Sequence, residues 1–104
     1  MKILITGKAG AGKSLLLARF KANPDYSHFD FFDIDDHQEL ARLIRNSDNC
    51  FAVVQSEKFL PHDLSFDRKY FCLREYGSDY TTISDGLISE KVFIKSLLSS
   101  SCNL

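Results

Sequence analysis

From Gly7 to Ser14 the chain reads GKAGAGKS, which fills every fixed position of the pattern G-x-x-x-x-G-K-[ST]. These residue types at this spacing suit the holding of a phosphate chain. Gly7, Gly10 and Gly12 permit sharp bends and a close approach of the backbone to a ligand. The N–H groups bared along Lys8, Ala9, Ala11 and Leu15, with the positive end of a following helix, would then hold the anion. Lys13 would reach the β and γ phosphates, and the Ser14 hydroxyl would ligate Mg²⁺. The plain alternative is a glycine-rich turn that happens to fit. The flanks favour the phosphate site, because Lys2-Ile3-Leu4-Ile5-Thr6 is an apolar run fit for a buried strand and Leu15 to Phe20 is a helix-forming run. ATP with Mg²⁺ is the expected ligand.

Three further polar groups stand where strand-like runs end, and in an open parallel sheet ligands gather at the carboxyl ends of strands. The first is the acidic set Asp33, Asp35 and Asp36. One carboxylate there can hold Mg²⁺, with Asp35 the first candidate, and a neighbour can polarise an attacking water, with Asp36 in that position. The residues leave open which of them is the base, and Asp35 or Asp36 can equally be a helix cap. The second is Gln55, whose amide can orient water or sense a γ-phosphate, or simply end a strand. The third is Arg74, which can touch phosphate in its own subunit or a neighbour's, or be a solvated surface residue. His28, His37 and His62 show no ligand pattern and read as surface residues.

The elements that must position these groups follow from periodicity. A first helix is expected from Lys13 to about Ala22, ended by Asn23-Pro24-Asp25. Phe29 to Ile34 reads as a second strand, and Leu40, Leu43 and Ile44 recur at helical spacing behind an aspartate cap. Asn46 to Asn49 is a turn cluster, Cys50 to Val54 a third buried strand, and Lys69 to Leu73 a fourth. Residues 74–84 are polar without helical periodicity. Leu87, Ile88, Val92, Ile94, Leu97 and Leu98 suggest a closing helix that frays at Ser99 to Ser101. Alternating strands and helices imply one α/β domain over residues 1–104, a reduced three-layer sandwich on a small parallel sheet, as in P-loop NTPases.

Composition narrows the partners. The 104 residues carry a net charge of −1, so broad electrostatic attraction to nucleic acid or membrane is not expected. Three cysteines without a C-x-x-C pair give neither a metal spacing nor a disulfide framework. With the glycine-rich loop starting at residue 7 no signal peptide is expected, no apolar run is long enough to span a bilayer, and a reducing cytoplasm is the expected compartment. Few helices for a parallel sheet, and nine Phe with four Tyr, suggest more apolar surface than one small core hides, hence a homo-oligomer.

The stretch ILITGKAGAGKSLLL resembles the opening of the filamentous-phage assembly ATPases, the Zot-like group within the FtsK/HerA class of DNA-translocating motors. FFDIDD is similar to their Walker B strand, FAVVQ to their sensor strand ending in glutamine, and PHDLSFDRKYFCLRE to the stretch that follows and ends in an arginine. The chain departs from that class in the short segment between loop and acidic strand, and in Asp36 where a glutamate is usual. The resemblance implies ATP hydrolysis that drives DNA or phage- and plasmid-related assembly or transport, with an arginine completing a neighbour's site; Arg74 is the first candidate, before Arg68, Arg45 and Arg42. A second resemblance is to the ParA/MinD partition ATPases, through Lys8 in the loop, FDIDDHQ and SDNCFAVVQSEKF, although Ala9 replaces a glycine. A GTPase would show N-K-x-D, which does not occur. A nucleotide-binding regulator with little hydrolysis is the non-enzymatic alternative.

Overall fold

The computed structural model describes residues 1–74, 79–86 and 89–93. Strand β1 (Lys2–Thr6) leads through the glycine-rich loop into helix α1 (Lys13–Ala22) and, after a 3-10 turn at Pro24–Tyr26, into the short strand β2 (Asp30–Phe32). Helix α2 (His37–Asn46) and strand β3 (Cys50–Val54) follow, then a 3-10 turn at Glu57–Phe59, strand β4 (Arg68–Arg74), β5 (Tyr80–Ser84) and β6 (Ser89–Phe93). The strands form one sheet in the order β2-β3-β1-β4-β5-β6. The first four are mutually parallel, whereas β4 pairs antiparallel with β5 and β5 with β6.

Strand alternation splits the core into two halves. Ile3, Ile5, Phe51 and Val53 point to the face covered by Leu16 and Leu17 of α1, while Leu4, Cys50, Ala52 and Val54 point to the face covered by Leu40, Ala41 and Ile44 of α2. Five-residue strands that are apolar at every position, as in β3, are what a sheet buried on both sides requires. Much of the aromatic content is absorbed here. Phe51, fully buried, stacks on Phe20 at 4.6 Å and on Phe31 at 5.2 Å between ring centroids, with Tyr26 edge-on at 5.1 Å. The aromatics at 29–32 therefore pack against the molecule's own core, and among the described residues the exposed large apolar side chains are instead Met1, Phe59, Phe71, Leu73 and Tyr80.

Two expectations are corrected. The sheet is mixed rather than purely parallel, because residues 80–84, left without an element in the sequence reading, form β5. Thr81 points inward and is buried, while Tyr80 is exposed, the alternation of a half-buried strand. The closing helix is also overturned where it can be checked, since Ser89–Phe93 is strand β6, with Val92 buried and set opposite Thr81. The sequence carries the cause: Asp85-Gly86, with Gly86 at φ +93°, is a turn signal between β5 and β6 that outweighs a loose helical spacing. The rest of that expectation (Leu87, Ile88, Ile94, Leu97, Leu98 and the serines) lies outside the described residues.

Phe51 is the central packing contact, so Phe51→Ala is expected to cost about 3–5 kcal/mol in urea unfolding. A loss below about 1 kcal/mol would contradict this account of the core.

Candidate functional site

The Gly7–Ser14 loop leaves the sheet at the tip of β1 and is gripped from both neighbouring strands. On one side the Gly7 N–H donates to the carbonyl of Gln55, just past β3, at 3.2 Å. On the other side β4 runs past β1: Thr6 is opposite Phe71, so Cys72, Leu73 and Arg74 extend alongside the loop itself. A β-carbon on Gly7 would lie 2.5 Å from the carbonyl oxygen of Cys72, and Gly7 has φ +152°, so glycine is required there. Gly12 takes a left-handed conformation at φ +97° and begins α1 without any side-chain cap. The buried Thr81 hydroxyl donates to the carbonyl of Ala11 at 2.7 Å, tying the loop to β5.

Within this frame Lys13 bends back over the loop. Its ammonium donates to the carbonyls of Gly7 at 2.6 Å and Lys8 at 2.8 Å. Burial holds its pKa below that of a free lysine, and the nearby Asp33 carboxylate partly offsets the shift. Burial also raises the Cys72 thiol to about 11, which keeps it neutral near pH 7 and makes it a small apolar wall. The Ser14 hydroxyl donates to a carboxylate oxygen of Asp33 at 2.6 Å, a charge-assisted contact. Asp33 comes from the end of β2, two strands from β1, with β3 and Gln55 between them.

The acidic residues therefore divide differently from the sequence expectation. Asp33, not Asp35, is the carboxylate in contact with Ser14, while Asp35 lines the same cleft of about 420 Å³ with Lys13, Ser14 and Gln55. Asp36 does not line that cleft. One of its oxygens accepts the N–H groups of Gln38 at 3.0 Å and Glu39 at 3.1 Å, so it is the N-cap of α2. Arg74 lies beside its own loop, 3.4 Å from the Gly10 carbonyl, and lines a separate recess with Gly12, Ser14 and Leu15.

On the far side of the loop a second cleft, of about 770 Å³, is lined by Lys8, Ala9, Gly10 and Ala11 together with Gln55, Phe71 and, here too, Arg74. Sequence reasoning passed over several residues that the fold brings in. Thr81 lay in the stretch without periodicity, and its signal was the Asp-Gly turn behind it. His37 was read as a surface residue, yet it lines the acidic cleft and stacks on Phe59 at 4.8 Å. Among the described residues no group of three or more His, Cys, Asp or Glu is arranged to hold a metal by protein ligands alone.

No family model matches the chain, and neither a curated protein nor a solved structure matches it significantly.

Two substitutions test this geometry through thermal or urea unfolding. Gly7→Ala forces a β-carbon against backbone and is expected to cost about 1–3 kcal/mol. Asp36→Ala removes the cap of α2 and should cost about 1 kcal/mol. An Asp36→Ala protein as stable as the parent would show that the cap contributes nothing, and would reopen another role for that carboxylate.

Proposed function

We propose that the chain is a reduced P-loop NTPase that binds ATP with Mg²⁺ through Gly7 to Ser14. The observation that carries this reading is the convergence of Lys13, Ser14 and Asp33 at the start of α1, in a loop whose backbone is held open by Gly7, Gly10 and Gly12. An arriving phosphate would exchange the two carbonyl contacts of Lys13 for its own oxygens, at a helix start where N–H groups already favour an anion.

The residues fit a magnesium ion. Ser14 and Asp33 offer two hard oxygens in contact, and Mg²⁺ on a nucleotide needs only one or two protein oxygens beside phosphate and water. Bound there, the ion would neutralise phosphate charge. Gln55, at the strand end between the loop and Asp33, is placed to orient a water near the terminal phosphate. In this reading Arg74 serves the phosphates of its own subunit, because it already lies beside its own loop.

The motor-like reading adds ATP hydrolysis coupled to DNA or to phage- or plasmid-related assembly, by a homo-oligomer. No helix of the described residues is long and apolar enough to cross a membrane. A second reading is favoured by one observation: Asp36 is held as a helix cap, which leaves the site without the expected base and suits an ATP-binding regulator with little turnover.

Calorimetry with ATP–Mg²⁺ tests the proposal. Lys13→Ala should weaken binding about tenfold or more, the loss expected for one charge-assisted contact. Asp33→Asn should make ATP affinity less dependent on Mg²⁺. Equal affinity in a folded Lys13→Ala protein would remove the reading. Phosphate release at saturating ATP separates motor from regulator.

A further inference from the structure

Alternation along β4 sends Cys72 into the core under α1 and Phe71 and Leu73 to the opposite face. On that face α2 packs over β1, β3 and the segment leading to β4, but Phe71 and Leu73 stand outside this cluster and are 48% and 50% exposed. Two large apolar side chains left half in water beside a glycine-rich loop offer apolar surface that a bound ligand would bury with gain.

Their position relative to the loop narrows what that ligand is. The acidic cleft, with Lys13, Ser14, Asp33 and Asp35, and the larger cleft, where Phe71 and Leu73 stand with Lys8 and Arg74, share Ala9, Gly10 and Gln55. The loop thus stands between an acidic cleft and a second one in which Phe71 and Leu73 present apolar surface. This second cleft, at about 770 Å³, lies within the size range of small-ligand pockets. A ligand that spans both clefts needs a polyanionic end and a flat apolar end within one short molecule. Inorganic polyphosphate lacks the second, and a free base lacks the first.

We propose that Phe71 is the stacking platform for the base of a nucleoside triphosphate, with Leu73 beside it and Ser56 at the rim. This rests on the nucleotide reading above and adds to it the placement of the nucleoside on the β4 side of the loop. Stacking on one aromatic face tolerates every base, so the site favours nucleotides over inorganic triphosphate, and purines over pyrimidines through their larger rings.

The chain contains no tryptophan, so Phe71→Trp places a single tryptophan, excited selectively over the four tyrosines, at the platform. ATP–Mg²⁺ should quench its emission, while tripolyphosphate–Mg²⁺ should not. In calorimetry, Phe71→Ala should weaken ATP binding about tenfold, as expected for the loss of one base–aromatic stack, and leave tripolyphosphate binding unchanged. Absence of ATP quenching, or equal ATP affinity in Phe71→Ala while Lys13→Ala still weakens binding, overturns the platform and leaves the phosphate site standing. Equal loss of ATP and tripolyphosphate in Phe71→Ala overturns it as well. Failure of ATP to bind the parent chain, or indifference to Lys13→Ala, removes both.

Discussion

The shape of the Gly7–Ser14 loop depends on β4 continuing beyond the end of β1. Because of that overrun, the carbonyl of Cys72 lies where any β-carbon on Gly7 would be, and the pairing of Arg74 with Thr81 brings the Thr81 hydroxyl to the Ala11 carbonyl. A loop with three glycines at positive φ has high conformational entropy when free, so its geometry must be imposed from outside. Here it is imposed by a buried hydroxyl bond on one side and the Gly7 bond to Gln55 on the other. The antiparallel β5–β6 extension is therefore more than extra sheet, since it carries the residue that fixes the loop.

The same topology explains how residues far apart in sequence meet. Helix α1 carries the chain from β1 past the place of β3 to β2, and the segment after β3 returns across β1 to β4. The strand connections leave the tips of β1 and β3 in opposite directions, which opens a crevice at their carboxyl ends. Lys13 and Ser14 enter it from α1, Asp33 from β2 and Gln55 from β3. Charge is balanced locally: the lysine that burial makes less basic faces a carboxylate, and the adjacent thiol stays neutral.

Much of this was legible in the sequence where short-range rules apply. Helix α1, strand β3 and the cap of α2 follow from a helix-forming run closed by Asn23-Pro24, an all-apolar run and an aspartate before a helical pattern. What was not legible depends on the third dimension. Which of three neighbouring aspartates touches Ser14 is decided by the three-residue length of β2, which ends at Phe32 and leaves Asp33 first in line. Cap and base compete for the same carboxylate at Asp36, and only the backbone of α2 shows that it caps. The β5–β6 hairpin was missed because Val92 and its apolar neighbours fit a helical spacing as well as an alternating one, and the Asp85-Gly86 turn was not weighed against it.

The central claim is that the loop receives the phosphates of a nucleotide, and amide-resolved NMR titration of the whole chain with ATP–Mg²⁺ tests it most directly. The account predicts that the largest shifts fall on the N–H groups of Gly10, Gly12, Lys13 and Ser14, with smaller ones at Asp33 and Gln55. An unchanged loop at millimolar ATP–Mg²⁺, or shifts confined to another surface, would contradict it.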